Sequence, residues 1–374
     1  MAIKSVLFLR SNPVAPDPRV AKEAQALADA GYKVGVVAWD RTGELPKVEE
    51  TPFGLVERLP IKGSFRSGLA NLLPLVRFNL ALLWHLIKRR STYDAIHACD
   101  FDTVLPALVA AKLLGKKVVY DVFDFYADML RATPGWIKSI IKKVDLRLMG
   151  WVDAVILADE SRVKQIQGAR PKRLTFIYNS PPIEDPFPLP PAPPPLRIAY
   201  VGLLQKERGI LQVIELLRRH PEWELDLGGF GGDEEEIRRA VADLPNVRYH
   251  GRVPYEKALE LMSNAHLLFA TYDPSIPNHR YSSANKLFEA MAIGRPIVVA
   301  RDTGMDQLVQ QYALGFVVEY GNLAALEDAF ARVASWDLQR FEEFSQKAQE
   351  VYVTRFAWRI MKERLIALYR KLEE

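Results

Sequence analysis

The stretch Ser180 to Pro195, reading SPPIEDPFPLPPAPPP, constrains this chain more than any other feature. Proline locks φ and lacks a backbone N–H, so such a run holds neither a helix nor a central strand and stays extended and semi-rigid. It reads as a linker, 180–195, between a first domain of 1–179 and a second of 196–354. Two domains suit 374 residues of which 49% are hydrophobic, because single cores stop growing beyond roughly 250–300 residues.

On both sides of the linker, strand-like and helix-like periods alternate. Ile3–Leu9 is a continuous apolar run of the kind buried on both faces of a parallel sheet. Asp17 and Pro18 then read as an N-cap followed by a proline in the first turn, and Gly31 as the C-terminal stop. Further strands are predicted at 33–39, 53–59, 95–98, 117–121, 154–158 and 174–178, with helices near 69–90, 103–114 and 137–150. Beyond the linker, strands are predicted at 197–201, 224–227, 247–249, 266–269, 296–299 and 315–318, each followed by a helical stretch. Such alternation implies an α/β fold with right-handed crossovers: two Rossmann-like, doubly wound domains facing across a cleft. Ligands then belong at the carboxyl ends of the strands. The last helix, 358–372 within a tail of 355–374, is long enough at about 1.5 Å per residue to cross back to the first domain.

Charge divides along the same line. Residues 1–180 carry 27 Lys and Arg against 18 Asp and Glu, whereas the remainder carries 23 against 28. A basic first half calls for an anionic partner, either a membrane surface or a phosphate-bearing acceptor. No zinc, helix-turn-helix or aromatic-and-basic pattern points to nucleic acid. The segment Phe65–Arg90 sets Leu72, Leu73, Val76, Leu80, Leu83, Trp84 and Ile87 on one helical face and ends in Lys88-Arg89-Arg90. Two readings stand for it: a helix packed on the sheet, or one docked on an anionic membrane. Lys138, Lys142, Lys143 and Arg147 add a second basic stripe. The single cysteine, Cys99, fits a reducing compartment, and no secretory signal or membrane span is expected. The expected location is cytoplasmic, with peripheral attachment at the inner membrane face as its extension.

The chemistry concentrates in Tyr281–Pro296, YSSANKLFEAMAIGRP. Ala284, Leu287, Phe288 and Met291 repeat at helical spacing as a buried stripe, leaving Ser282, Asn285, Lys286 and Glu289 on the other side. A helix start presents free N–H groups and the positive end of its dipole, a seat for a diphosphate. Glu289, one turn further in, can accept hydrogen bonds from vicinal ribose hydroxyls; a solvated helix face is the bland alternative. Gly229-Phe230-Gly231-Gly232 lets backbone approach a nucleotide, though such a turn alone is weak evidence. Asp100-Phe101-Asp102 mimics a metal-binding pair, but Asp102 before Thr103 reads better as an N-cap, and no zinc spacing exists.

These segments resemble glycosyltransferase family 4, retaining enzymes of the GT-B fold. The resemblance rests on Asp17-Pro18-Arg19-Val20, Gly31-Tyr32-Lys33-Val34, Tyr120-Asp121, Tyr200-Val201-Gly202, Gly229-Phe230-Gly231, Val247 to Gly251 and Asn285-Lys286-Leu287-Phe288-Glu289. It implies transfer of a sugar from a UDP-, GDP- or ADP-sugar to a hydroxyl acceptor, lipid-linked or polysaccharide, with retained configuration and no metal or other cofactor. The first domain is then the acceptor side and the second binds the donor. The resemblance assigns Gly202, Arg208, Gly229, Val253, Tyr281, Ser282, Ser283, Lys286, Leu287 and Glu289 to the donor, with Arg208, Glu289 and Asp124 as the catalytic set.

Departures from the family pattern fall at Leu203, where an Arg is usual, at Phe123 in place of a His, and at Tyr281 in place of a Glu. Lys286 is the candidate replacement for the missing cation. On the acceptor side stand Asp124, Tyr126 and His97. Asp124 either lines the pocket or caps the next helix; His97 either lines the pocket or hydrogen-bonds in the core. Two other functions stay open: a GT-B-like protein that binds a sugar nucleotide without turnover, and an epimerase or phosphorylase on the same fold.

Overall fold

The computed structural model describes residues 2–63, 71–130 and 133–374. Its contacts divide the chain into two compact units, Met1–Tyr178 with Met361–Glu374, and Asn179–Ile360.

The first unit follows the order β1 (Ser5–Arg10), α1 (Pro18–Asp29), β2 (Lys33–Asp40), β3 (Val48–Thr51), β4 (Gly54–Pro60), α2 (Leu72–Lys88), β5 (Ala95–Cys99) and α3 (Phe101–Leu114). It continues with β6 (Lys117–Val122), α4 (Tyr126–Met129), α5 (Gly135–Trp151), β7 (Ala154–Leu157) and β8 (Leu174–Phe176). The eight strands lie in the order β3-β4-β2-β1-β5-β6-β7-β8. All pairings are parallel except β3 with β4, β3 being a short exposed edge strand that the periodicity did not reveal. Asp17 caps α1 as expected, its side chain accepting from the Val20 N–H with Pro18 in the first turn. Phe78, Leu82 and Leu86 of α2, Val104 and Leu108 of α3, and Leu148 and Met149 of α5 fill one core beneath the sheet.

The second unit runs β9 (Arg197–Leu203), α6 (Ile210–Arg219), β10 (Glu224–Phe230), α7 (Glu234–Val241), β11 (Val247–Gly251), α8 (Tyr255–Ser263) and β12 (Leu267–Ala270). Then come α9 (Asn285–Ile293), β13 (Ile297–Ala300), α10 (Met305–Tyr312), β14 (Gly315–Val318), α11 (Leu323–Ala334) and α12 (Leu338–Val351). Its sheet is wholly parallel in the order β11-β10-β9-β12-β13-β14. The last helix, α13 (Trp358–Glu373), contributes Met361 onward to the first unit. There Tyr369 and Leu365 are fully buried, and Lys362 reaches Asp29 at 2.6 Å.

The proline-rich stretch is fastened to the second unit by its carbonyls. Tyr352 donates to Pro181, Arg295 Nη2 to Pro188 at 2.6 Å, and His266 Nε2 bonds Pro191 at 2.6 Å. Arg295 is buried with no carboxylate beside it and spends its donors on main-chain oxygens, so burial lowers its pKa to about 10. Among the described residues, no helix is long and apolar enough to cross a membrane. Residues 65–70 of the expected basic-apolar segment lie outside the described residues.

Candidate functional site

Each sheet has a point where the order of its parallel strands reverses, between β1 and β5 in the first unit and between β9 and β12 in the second. Loops leaving such neighbouring strands diverge and open a crevice at their carboxyl ends. In both units the candidate residues gather there.

In the second unit, β9 ends at Leu203 and a single turn, Lys206–Arg208, leads into Gly209 and α6. Arg208 lies over the Tyr272 ring at 4.4 Å, is held by Gln205 at 3.0 Å, and is close enough to Tyr200 and Tyr272 for these tyrosines to raise its pKa. From the other side Lys286 Nζ stands 4.3 Å from the Tyr200 ring centroid. A Cβ on Gly202 would sit 2.3 Å from that ammonium, so glycine leaves the room it uses. Arg208, Lys286 and Gly202 therefore converge around Tyr200, a residue the sequence reading quoted in a strand but gave no role. Leu203 is 39% exposed, an apolar side chain where the resemblance would place a cation.

Helix α9 begins at Asn285, so Ser282 and Ser283 precede it rather than share its polar face. Ala284 stands at the cap position with no side-chain hydrogen bond, and the first turn holds no acid. The Leu287 N–H of this turn bonds back to the Ala284 carbonyl at 3.0 Å, as in the first turn of a helix whose end is not closed by a side-chain cap. Lys286 and Glu289 are 8% and 6% exposed, which overturns the solvated-face reading. Leu287 and Phe288 anchor the helix in the core. Burial and the neighbouring Glu289 carboxylate raise the Tyr255 pKa, which places the 251–255 turn with Val253 beside Glu289. Gly228 and Val253 also touch, a Cβ on the glycine falling 3.5 Å from the valine methyl. Gly229 pairs with Gly202 across β9 and β10 so closely that a Cβ would lie 1.8 Å from the Gly202 carbonyl oxygen. Tyr281 closes the turn Pro277–Tyr281 at half exposure.

In the first unit, Arg10 ends β1 and pairs with Asp17 at 2.8 Å and with Asp100, which follows β5. Asp100 has φ +67°, a left-handed value rare for a non-glycine residue, and is part of a fixed loop. Its carboxylate accepts from the Phe123 and Asp124 N–H groups at 2.9 and 3.3 Å. Burial raises Asp100 to about 6 despite the opposing pull of Arg10. Asp102 is not the cap of α3, which begins one residue earlier; burial raises its pKa. Phe123 lies between the guanidinium groups of Arg10 and Arg19, 4.2 and 4.7 Å from its centroid.

Asp124 does not cap α4, whose cap position is Phe125; it keeps 40% of its side chain exposed and pairs with Arg162 at 3.3 Å. Tyr126 packs on Phe101 at 5.1 Å beside it. His97 belongs elsewhere. It is fully buried, stacked on Phe8 at 4.2 Å and bonded to the Tyr369 hydroxyl at 2.9 Å, so the core reading of this histidine is the one the geometry gives.

Glu23, His97 and Asp121 bring their ligand atoms within 4.8 Å of one another, the one such group among the described residues. Arg19 supplies the positive charge there, 2.9 Å from Asp121 and 3.1 Å from Glu23. Burial pulls Asp121 upward, but Arg19 and His97 outweigh it and hold it near about 2. Burial and the Asp121 charge push Glu23 well above the usual carboxylate range. One cation and one anion remain, a neutral and self-contained cluster. Sequence reasoning missed Arg10 and Arg162 and weighed Asp100 only as half of a metal-binding pair; for Arg10 and Asp100 the available signal was a charged residue ending or following a buried parallel strand.

Comparison with known proteins follows the two halves. Residues 19–184 match the family described as Glycosyltransferase Family 4, and residues 195–335 match Glycosyl transferases group 1. A D-inositol 3-phosphate glycosyltransferase of Corynebacterium urealyticum is 26% identical over 189 residues, 47% of this chain and 43% of the relative. The match thus spans less than half the length of that relative. Among solved structures, sucrose-phosphate synthase from Thermosynechococcus elongatus superposes with a TM-score of 0.76 at 18% identity, covering 98% of this chain and 99% of that one. Anabaena HepE, solved in complex with UDP, gives 0.71 at 16% identity over 98% and 100%. With both halves matched and the fold shared along its length, this chain belongs to the group 1, family 4 glycosyltransferases of GT-B fold.

Proposed function

We propose that this glycosyltransferase moves a sugar from a nucleoside diphosphate sugar to a hydroxyl acceptor with retention of configuration and without a metal ion. The observation that carries the reading is the convergence of Arg208 and Lys286 around Tyr200 and Gly202, in the unit whose α9 has an uncapped amino end. Two fixed cations and a helix terminus suit a diphosphate that gains charge as its bond to the sugar breaks. Glu289, buried beside Tyr255, suits the ribose hydroxyls, and Gly229 and Val253 admit the nucleotide to the backbone. Relatives support the donor class: HepE has been solved with UDP-glucose, and an E. coli trehalose-6-phosphate protein with UDP-2-fluoro glucose.

In the transfer, the bond from the anomeric carbon to the diphosphate oxygen breaks and one to the acceptor oxygen forms on the same face. The acceptor proton passes to the departing phosphate oxygen, so the protein needs to orient the hydroxyl rather than deprotonate it. Asp124 and Tyr126 are the side chains offered for that orientation.

The test is release of nucleotide from a panel of UDP-, GDP- and ADP-sugars with sugar and polyol acceptors, in the presence of a chelator. Turnover of one donor, unaffected by the chelator and giving a product of unchanged anomeric configuration by NMR, is expected. Tight donor binding without turnover against any acceptor would instead favour the binding-protein reading, to which Leu203, Phe123 and Tyr281 lend themselves.

A further inference from the structure

Right-handed crossovers that step from β4 to β5, β6 and β7 put α2, α3 and α5 side by side on one face of the first unit's sheet. Asn79 of α2 donates to the Asp102 carbonyl of α3 at 3.1 Å, and Lys112 of α3 covers the Trp151 ring of α5 at 4.9 Å. Each helix has an inward apolar stripe in the core described above. Each also carries a second apolar stripe, turned outward.

On α2 the outward stripe is Leu72, Leu73, Val76, Leu80, Trp84 and Ile87, with Leu80 63% and Trp84 62% exposed. On α3 it is Leu105, Val109 and Leu113, spaced by single turns. On α5 it is Trp136, Ile140, Val144 and Trp151, with Trp136 68% exposed. The face that the sequence pattern offered for packing α2 on the sheet is therefore the one left open, because Phe78, Leu82 and Leu86 do the packing. Scattered exposed leucines are ordinary, but three adjacent helices with continuous outward stripes are not.

The polar side chains among these stripes have one sign. Arg77, Lys88, Lys112, Lys142, Lys143 and Arg147 are exposed, and no exposed acid occurs on any of the three helices. The two acids they contain turn inward: Asp145 is fully buried and Asp102 half-buried. Lys88 lies over Trp84 at 4.7 Å, an apolar ring and an ammonium presented together.

We infer that this three-helix face docks on an anionic lipid bilayer. Tryptophan and long basic side chains belong to the boundary between headgroups and acyl chains, where rings and stems are buried and charges meet lipid phosphates. A second copy of the chain is a poor occupant, since a two-fold interface would set this acid-free basic face against itself. The inference does not depend on the donor chemistry.

The test uses the whole chain with vesicles of phosphatidylcholine alone and of phosphatidylcholine mixed with phosphatidylglycerol, read by cosedimentation and tryptophan fluorescence. Binding to the mixed vesicles at least about tenfold tighter than to neutral ones, weakened by salt and with a blue-shifted emission, is expected. The exposed pair Trp84→Ser with Trp136→Ser, and separately Lys142→Gln with Lys143→Gln, should each lower that affinity several-fold, while Lys257→Gln in the second unit should not. The idea is overturned if the wild-type protein ignores anionic vesicles, or if both pairs bind like wild type. It is also overturned if the protein is a dimer in solution that the tryptophan pair dissolves, which would give the face to a second copy.

Discussion

Lys286 and Gly202 are fitted to each other: the ammonium sits where a side chain at position 202 would begin, with a Cβ only 2.3 Å from Nζ. Gly202→Ala should therefore displace Lys286 and weaken nucleotide diphosphate binding about tenfold, or about 1.4 kcal/mol, and its φ of +156° makes a lower unfolding midpoint part of the same outcome. Lys286→Met should cost the same, and the double variant no more than either alone. Calorimetric titration of the three variants checks this; additive losses would mean that the two residues act independently.

Glu289 is expected to hold the ribose, with Tyr255 beside its carboxylate. Glu289→Ala should abolish measurable binding of the preferred sugar nucleotide, whereas Tyr255→Phe, which leaves the carboxylate in place, should lose at most about 1.5 kcal/mol. Unchanged affinity in Glu289→Ala would falsify the placement of the donor on α9.

The contact between Gly229 and Gly202 makes a stability prediction. At φ +143° and with a Cβ 1.8 Å from a carbonyl oxygen, Gly229→Ala must push β9 and β10 apart. A loss of about 3 kcal/mol or more is expected in denaturant unfolding. Gly232→Ala, three residues further along the same loop, has nothing within 4 Å and should stay within about 0.5 kcal/mol of wild type.

Asp145 is buried with one oxygen accepting from the Tyr120 hydroxyl at 2.8 Å, and burial raises it to about 7. The unfolded value is about 3.9, so the folded protein retains a proton that the unfolded chain has released. The stabilisation is complete below about pH 4 and fades as pH rises through 7. Asp145→Asn has no such proton, so its stability relative to wild type should climb across that window at up to about 1.4 kcal/mol per pH unit. Paired unfolding curves at mildly acidic and mildly basic pH measure it; a constant difference would contradict the assignment.

Removing Arg19 leaves Glu23 and Asp121 buried without their cation. Arg19→Met should cost about 3–5 kcal/mol, and Arg19→Lys should recover only part, since one ammonium cannot reproduce the forked contacts to Asp121 and the Ile177 carbonyl. Thermal unfolding of both variants is the measurement.

Much of the fold was legible because its signals are local. Apolar runs located the parallel strands to within a few residues, and Asp17, Pro18 and Gly31 bounded α1 from chemistry confined to a single turn. The edge strand β3 escaped because Val48–Thr51 is short, polar and exposed, leaving no buried face to write a pattern. The candidate site was half legible. Glu289 and Lys286 stood out by position on a helix, but their burial did not, because a charged side chain looks the same in sequence whether it faces water or Tyr200 and Tyr255. His97 shows the reverse: the strand end suggested a pocket, and Tyr369, 272 residues later, closes over it.

The sequence by itself determined the alternation of strands and helices, the caps, the proline-rich break and the helix that carries Glu289, since each follows from backbone and side-chain preferences within a few residues. Tertiary structure alone decided which apolar stripe of α2 turns inward, that Arg208 and Lys286 meet around Tyr200, and that Arg19 neutralises Asp121 from 102 positions away. Strand order sets those distances. It is fixed by the free energy of the whole packed sheet and is written in no single segment.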